Sequence, residues 1–207
     1  MRRVIIPVLL ITAFGFCFVP KAKAYPVTIQ IEAVVDTVYD SGNYLEGQIN
    51  PGDIITGYYT YDSLTLDSNP LPDYAAYYQY NPLCIVSLTV GGFHFITDTD
   101  NMDYRIAISN GYQSRDSYSV GSKNNLPLSN GVLVHDIYWL LVDNTCNALE
   151  SDMLPTTPPV LEQWQTNRLR IETDRNFYID AHVTSAVPEP ATIILFGIGT
   201  LLFRKRR

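Results

Sequence analysis

Between residues 25 and 185, apolar and polar positions alternate in short runs separated by turn residues. Val27, Ile29, Ile31, Ala33 and Val35 point one way along an extended chain, and Thr28, Gln30 and Glu32 point the other. A period of two predicts a strand buried on one face. Turn residues follow at Asp40-Ser41-Gly42-Asn43 and Asn50-Pro51-Gly52-Asp53. Residues 54–61, β-branched and aromatic, predict a second strand. Gly91-Gly92 joins two strand-like runs, 83–90 and 93–97, as a two-residue hairpin turn would. Asn110-Gly111 plays the same part between 104–109 and 112–120. Residues 132–142 are the most apolar run of this region and predict a central strand. Residues 161–164 suit one helical turn, and 169–173 and 177–184 alternate as closing strands. With about nine or ten short strands and no long amphipathic helix, the pattern predicts an all-β fold, a β-sandwich of jelly-roll or immunoglobulin-like type.

Residues 62–82 show no clear period and predict a long irregular loop carrying Tyr74, Tyr77, Tyr78 and Tyr80. Long loops in compact domains often carry function. Tyrosines gathered there either stack on sugar rings or close one end of the core. The run Asp98-Thr99-Asp100-Asn101-Met102-Asp103 makes Asp98, Asp100 and Asp103 weak candidates for calcium. It is not an EF-hand, because Asp103 and Ser109 stand where glycine and glutamate are required. His94, His135 and His182 each fall in a predicted strand, far from one another, and read as packing residues. Neither a Gly-x-Ser-x-Gly elbow nor a phosphate-cradling glycine loop is present, so no catalytic or cofactor-binding residue is assigned.

Both ends break the pattern. Arg2 and Arg3 precede an apolar run, 4–19, and Ala22-Lys23-Ala24 fits a small-x-small cleavage site. Residues 1–24 therefore read as a signal peptide cut before Tyr25. The alternatives are a retained anchor, and a lipoprotein at Cys17 in which Phe16 replaces the expected small residue. At the other end Pro188-Glu189-Pro190 is followed by an uncharged run, 191–203, and then by Arg204-Lys205-Arg206-Arg207. In lipid such a run must be helical, and its roughly 20 Å length is short for a ~30 Å hydrocarbon core. The basic cluster places the preceding domain outside the membrane. The two prolines hold the Pro-Glu-Pro tripeptide extended at the membrane surface.

The ends also distort the charge. The chain has 14 Lys+Arg against 21 Asp+Glu, net −7. Setting aside the four bases of 1–24, the four of 204–207 and Glu189 leaves six bases against twenty acids, net −14. That balance excludes nucleic acid as a partner and suits solubility outside the cell. In an oxidising compartment Cys84 and Cys146 are candidates for a disulfide, the alternative being two separate thiols.

Pro-Glu-Pro, a short apolar helix and a terminal basic cluster, in that order and at the extreme C-terminus, resemble the PEP-CTERM sorting domain of Gram-negative bacteria, over residues 187–207. The resemblance implies recognition by an exosortase, a membrane-embedded enzyme with a cysteine nucleophile, and removal of the tail near Pro188, Glu189 and Pro190. It also implies a transient stay in the inner membrane, delivery to the cell surface or exterior, and a producer of exopolysaccharide, itself a candidate partner. A looser likeness to ectodomains of such proteins covers roughly residues 47–184 and rests on Gly57 to Ser63, the Gly91-Gly92 hairpin and Leu154-Pro155-x-x-Pro158-Pro159; it brings no activity with it. The expected organisation is signal peptide 1–24, ectodomain 25–185 and sorting signal 186–207, with a transmembrane helix at 191–203 and a basic tail at 204–207. The expected role is a non-enzymatic surface or matrix protein without cofactor. An extracellular carbohydrate-active enzyme and an adhesive or assembly subunit are the alternatives.

Overall fold

The computed structural model describes residues 26–175 and 177–189. The expected signal peptide with Ala22 and Ala24, together with Pro190, the apolar run and the basic tail, lies outside them. The described chain is all-β: ten antiparallel strands form one continuous sheet. They are β1 (Pro26–Tyr39), β2 (Ile54–Asp62), β3 (Tyr74–Gln79), β4 (Val86–Val90), β5 (Phe93–Ile96), β6 (Asp103–Ser109), β7 (Asp116–Lys123), β8 (Val134–Asp143), β9 (Thr166–Thr173) and β10 (Tyr178–Pro188). Single 3-10 turns occupy Tyr112–Ser114 and Leu161–Gln163. The order across the sheet is β3-β6-β7-β8-β9-β10-β1-β2-β4-β5.

The sandwich is achieved by curling this one sheet rather than by stacking two. β1 is long, and its ladder with β10 carries bulges between Glu32 and Ala33 and between Val35 and Thr37. Bulges bend a strand and increase its twist, and here they lie in the middle of the sheet. The outer strands are brought face to face as a result. Ile29, Ile31, Ala33 and Val35 from β1 are buried, as are Leu88 and Phe95, Ile106 and Ile108, Ile137, Trp139 and Leu141, and Leu169 and Ile171. Each fully buried side chain of this size contributes about 1.5–3 kcal/mol. Between Ile31, Tyr59, Leu88, Val120, Trp139 and Leu169 only about 10 Å³ is left empty.

The predicted loop 62–82 contains β3. Pro70, Pro72 and Pro82 around it suggested irregular chain, but Tyr74 to Gln79 pair with β6. The outer edge of β3 is covered by its own preceding loop: Ala76 N–H donates to Asp67 Oδ1 at 2.8 Å and Ser68 N–H to the Ala76 carbonyl at 3.0 Å. Such cover protects an edge from pairing with other chains. At the far end of the sheet, Thr97 after β5 bridges Asn125 after β7. Two boundaries also move. β7 starts only at Asp116, because residues 112–114 form a turn. β10 runs on to Pro188, past the ectodomain limit expected at 185.

Candidate functional site: a groove on the outer face of the sheet

Along the strands β3, β6, β7, β8 and β9 successive side chains point to opposite faces of the sheet. Tyr104, Ile106, Val120, Ile137, Trp139 and Ile171 turn inward and are buried. Their neighbours turn outward and line up in register. One row reads Tyr78, Arg105, Gly121, Tyr138, Arg170, Asp180, each directly opposite the next across a strand pair. The next row reads Asp103, Lys123, Asp136, Glu172, Tyr178. Up to Arg170 and Glu172 the two rows line a groove of about 500 Å³, and Asp180 and Tyr178 stand just beyond its end.

Gly121 is its floor. A β-carbon there would stand 3.4 Å from Cδ2 of Tyr138, so the missing side chain leaves the Tyr138 ring lying alongside the gap. Tyr78 forms one wall, with the Arg105 guanidinium 5.8 Å from its ring centre. Arg105 sits above its ordinary pKa: burial works against the charge, but the Tyr78 hydroxyl and the phenol oxygens of Tyr74 and Tyr138 outweigh it. Among the described residues no carboxylate lies within ion-pair distance of Arg105 or Lys123.

Arg170 closes the other end and is fixed there. Its Nη2 lies 2.6 Å from Asp180 Oδ2 and its Nη1 2.7 Å from Glu172 Oε1. The guanidinium carbon stands 4.4 Å over the Tyr178 ring, which itself stacks on Tyr39 at 5.4 Å. Asp180 also accepts from Arg168 at 2.8 Å. The hydrogen bond from Arg170, opposed by partial burial and helped by Arg168, pulls the Asp180 carboxyl down to about 2. The site thus offers two tyrosine rings, one arginine without an ion-pair partner and one clamped arginine over a glycine floor, with carboxylates along one side.

Of the residues singled out from sequence, only Tyr78 and Asp103 line this groove. Tyr77 points inward, is buried, and donates its hydroxyl to the Asp152 carbonyl at 2.9 Å. Tyr74 packs on Tyr112 at 5.8 Å, and exposed Tyr80 stacks on Tyr78 at 6.4 Å. The three aspartates are not one cluster: Asp98 lines a separate recess with Asn101 and His135, and its Oδ1 accepts from Asp100 N–H at 3.0 Å. Among the described residues no group of three or more His, Cys, Asp or Glu is placed to hold a metal ion. His94 bonds Thr89, and His182 lies 2.8 Å from Asp36.

The structure does not bring Cys84 and Cys146 together. Both thiols are free, Cys84 fully buried and Cys146 exposed. Cys84 lies by Asp62 and Tyr104, Cys146 by Asp116 and Asp143. Tyr104 pairs with Ser122 at one end of the β6–β7 ladder, and Asp116 opens the other. Six residues of strand span about 20 Å, whereas a disulfide needs Cα atoms within about 7 Å.

Arg105, Gly121, Tyr138 and Arg170 were missed by sequence reasoning. The signal that marks them is a pair at i and i+2 in four successive strands: Asp103 and Arg105, Gly121 and Lys123, Asp136 and Tyr138, Arg170 and Glu172.

The last described residues of β10, Val187 and Pro188, lead into the tail, and residues 186–207 match the PEP-CTERM protein-sorting motif. The chain carries a PEP-CTERM sorting signal. It is an exported protein and an exosortase target, and the signal implies passage to the cell surface through a membrane-anchored precursor. Neither a curated protein nor a solved structure matches this PEP-CTERM chain.

Proposed function

We propose that this PEP-CTERM protein is a non-enzymatic surface or matrix protein that holds glycan in the groove of Tyr78, Arg105, Gly121, Tyr138 and Arg170. The observation that carries this reading is the register row itself. It sets two tyrosine rings on either side of a glycine floor, flanked by fixed donors and acceptors. The apolar face of a sugar ring stacks on such rings while its hydroxyls meet the polar rim. Three cations and three carboxylates line the groove, in a domain of net −14. A locally balanced site in a strongly negative body disfavours a polyanion, so the ligand class is a neutral glycan, with the cell's own exopolysaccharide the first candidate.

The test is retention of the mature protein, purified from its host, on immobilised neutral and acidic polysaccharides. Tyr138→Ala and Arg105→Ala should each lower affinity roughly tenfold, the size of one lost contact of about 1.4 kcal/mol. No retention of the unaltered protein, or retention that neither substitution changes, would overturn the reading.

One observation favours a second reading, a carbohydrate-active enzyme: Asp136 and Glu172 stand directly opposite each other within the groove, and glycosidases use paired carboxylates about 5–9.5 Å apart. Against it, Glu172 is already engaged by Arg170. Release of reducing sugar that disappears in Asp136→Asn would favour the enzyme.

A further inference from the structure

The sorting signal begins inside the folded sheet. Pro188 is the last residue of β10 and stands opposite Ile29; Val187 stands opposite Gln30, Ala186 opposite Ile31 and Ser185 opposite Glu32. The pairing reaches one residue further, where Glu189 N–H donates to the Thr28 carbonyl at 3.0 Å. The first two residues of Pro-Glu-Pro are therefore held by β1. Their side chains are exposed, but the Glu189 amide is already bonded.

This end of the ladder is also separable. The bulge between Glu32 and Ala33 divides these four pairs from the rest. On its other side β10 pairs with β9 only from Tyr178 to Ala181, so among the described residues 184–188 have ladder pairing with β1 alone; beyond it Ala186 packs against the core and the turn Leu161–Gln163 lies close to β10. A short segment paired on one side opens locally at far lower cost than the domain unfolds.

We infer that these four pairs form a latch, and that the exosortase acts on the signal only after the end of β10 has parted from β1. An enzyme acting on a peptide bond takes an extended, unpaired stretch of backbone into its cleft, and the rate then follows the population of the open form. The latch rests on the sorting-signal match and not on the glycan reading.

The experiment uses the full-length chain in a host that carries an exosortase. Gln30→Cys with Val187→Cys places two thiols on a directly opposed, exposed pair. Tail processing is followed by intact mass, which also reports whether the staple has formed. The stapled protein should be processed roughly tenfold more slowly or worse, while each single-cysteine variant matches the unaltered chain. Inserting Gly-Ser-Gly-Ser between Val187 and Pro188 of the stapled chain should restore processing, since the signal then hangs free of the locked strand. Processing of the fully stapled protein at the normal rate would overturn the latch. So would failure of the insertion to restore it.

Discussion

Tyr59 and Tyr118 have four strands between them in the sheet order, yet their hydroxyl oxygens are 3.2 Å apart in the core. Both rings lean edge-on against Trp139, at 5.9 and 6.0 Å. β2 supplies one tyrosine and β7 the other, so this contact joins the two halves of the curled sheet. Burial pushes both phenols well above their ordinary pKa and keeps them neutral donors. Tyr59→Phe leaves the Tyr118 hydroxyl buried without its partner, at a cost of about 1–3 kcal/mol. Denaturant unfolding should show that loss with little change in the slope against denaturant.

Tyr104 makes the opposite case. Its ring is fully buried and its hydroxyl has no hydrogen-bond partner among the described residues. Tyr104→Phe removes an unsatisfied polar atom and keeps the ring. It should leave stability unchanged or raise it by about 1 kcal/mol. A loss as large as that in Tyr59→Phe would show that the hydroxyl is satisfied in solution.

The strands that carry these rings were legible along the chain; which rings turn inward, and the groove, were not. Alternation in residues 27–35 and the Gly91-Gly92 turn, with φ of +55° and +80°, each follow from local chemistry. β3 was hidden because Ala75, Ala76 and Tyr77 are all buried in succession. A strand covered on both faces loses its period. The groove depends on register among five strands, four of which are joined by turns or long loops that no local rule aligns. Gly121 meets Tyr138 only because β7 and β8 pair as they do.

The cysteines give a test of the interior. Burial pushes the Cys84 thiol up to about 11, and a thiol reacts as thiolate. The exported protein treated with iodoacetamide should therefore take one label, at exposed Cys146, and a second only in denaturant. Finding none in both conditions, with a mass two hydrogens lower, would mean a disulfide and a different arrangement of the loop 144–160.

Acid should loosen the Arg168–Asp180–Arg170 cluster. The folded Asp180 carboxyl titrates lower than an unfolded one, so its contribution is present above the unfolded value near 3.9 and is lost as pH falls toward about 2. Arg168 is 47 % exposed, and solvent screening reduces the contribution to roughly 1 kcal/mol. Asp180→Asn should flatten the fall in unfolding free energy between pH 4 and about 2 by roughly that amount. An unchanged profile would mean that the clamp on Arg170 does not persist in solution.

Gly121 sets fold against groove. A glycine inside a strand costs about 0.5–1 kcal/mol relative to alanine. The nearest atom to an added β-carbon is the Tyr138 ring at 3.4 Å, an ordinary contact. Gly121→Ala should therefore raise stability by roughly 0.5 kcal/mol. Gly121→Leu puts a branched side chain onto the floor between Arg105 and Tyr138, into the open groove. It should fold, with melting within a few degrees of the unaltered protein, and lose retention on glycan. A protein that tolerates leucine here and still binds with unchanged affinity would show that ligand is held elsewhere, since the added side chain takes the place on the floor beside Tyr138 where the sugar ring would stack.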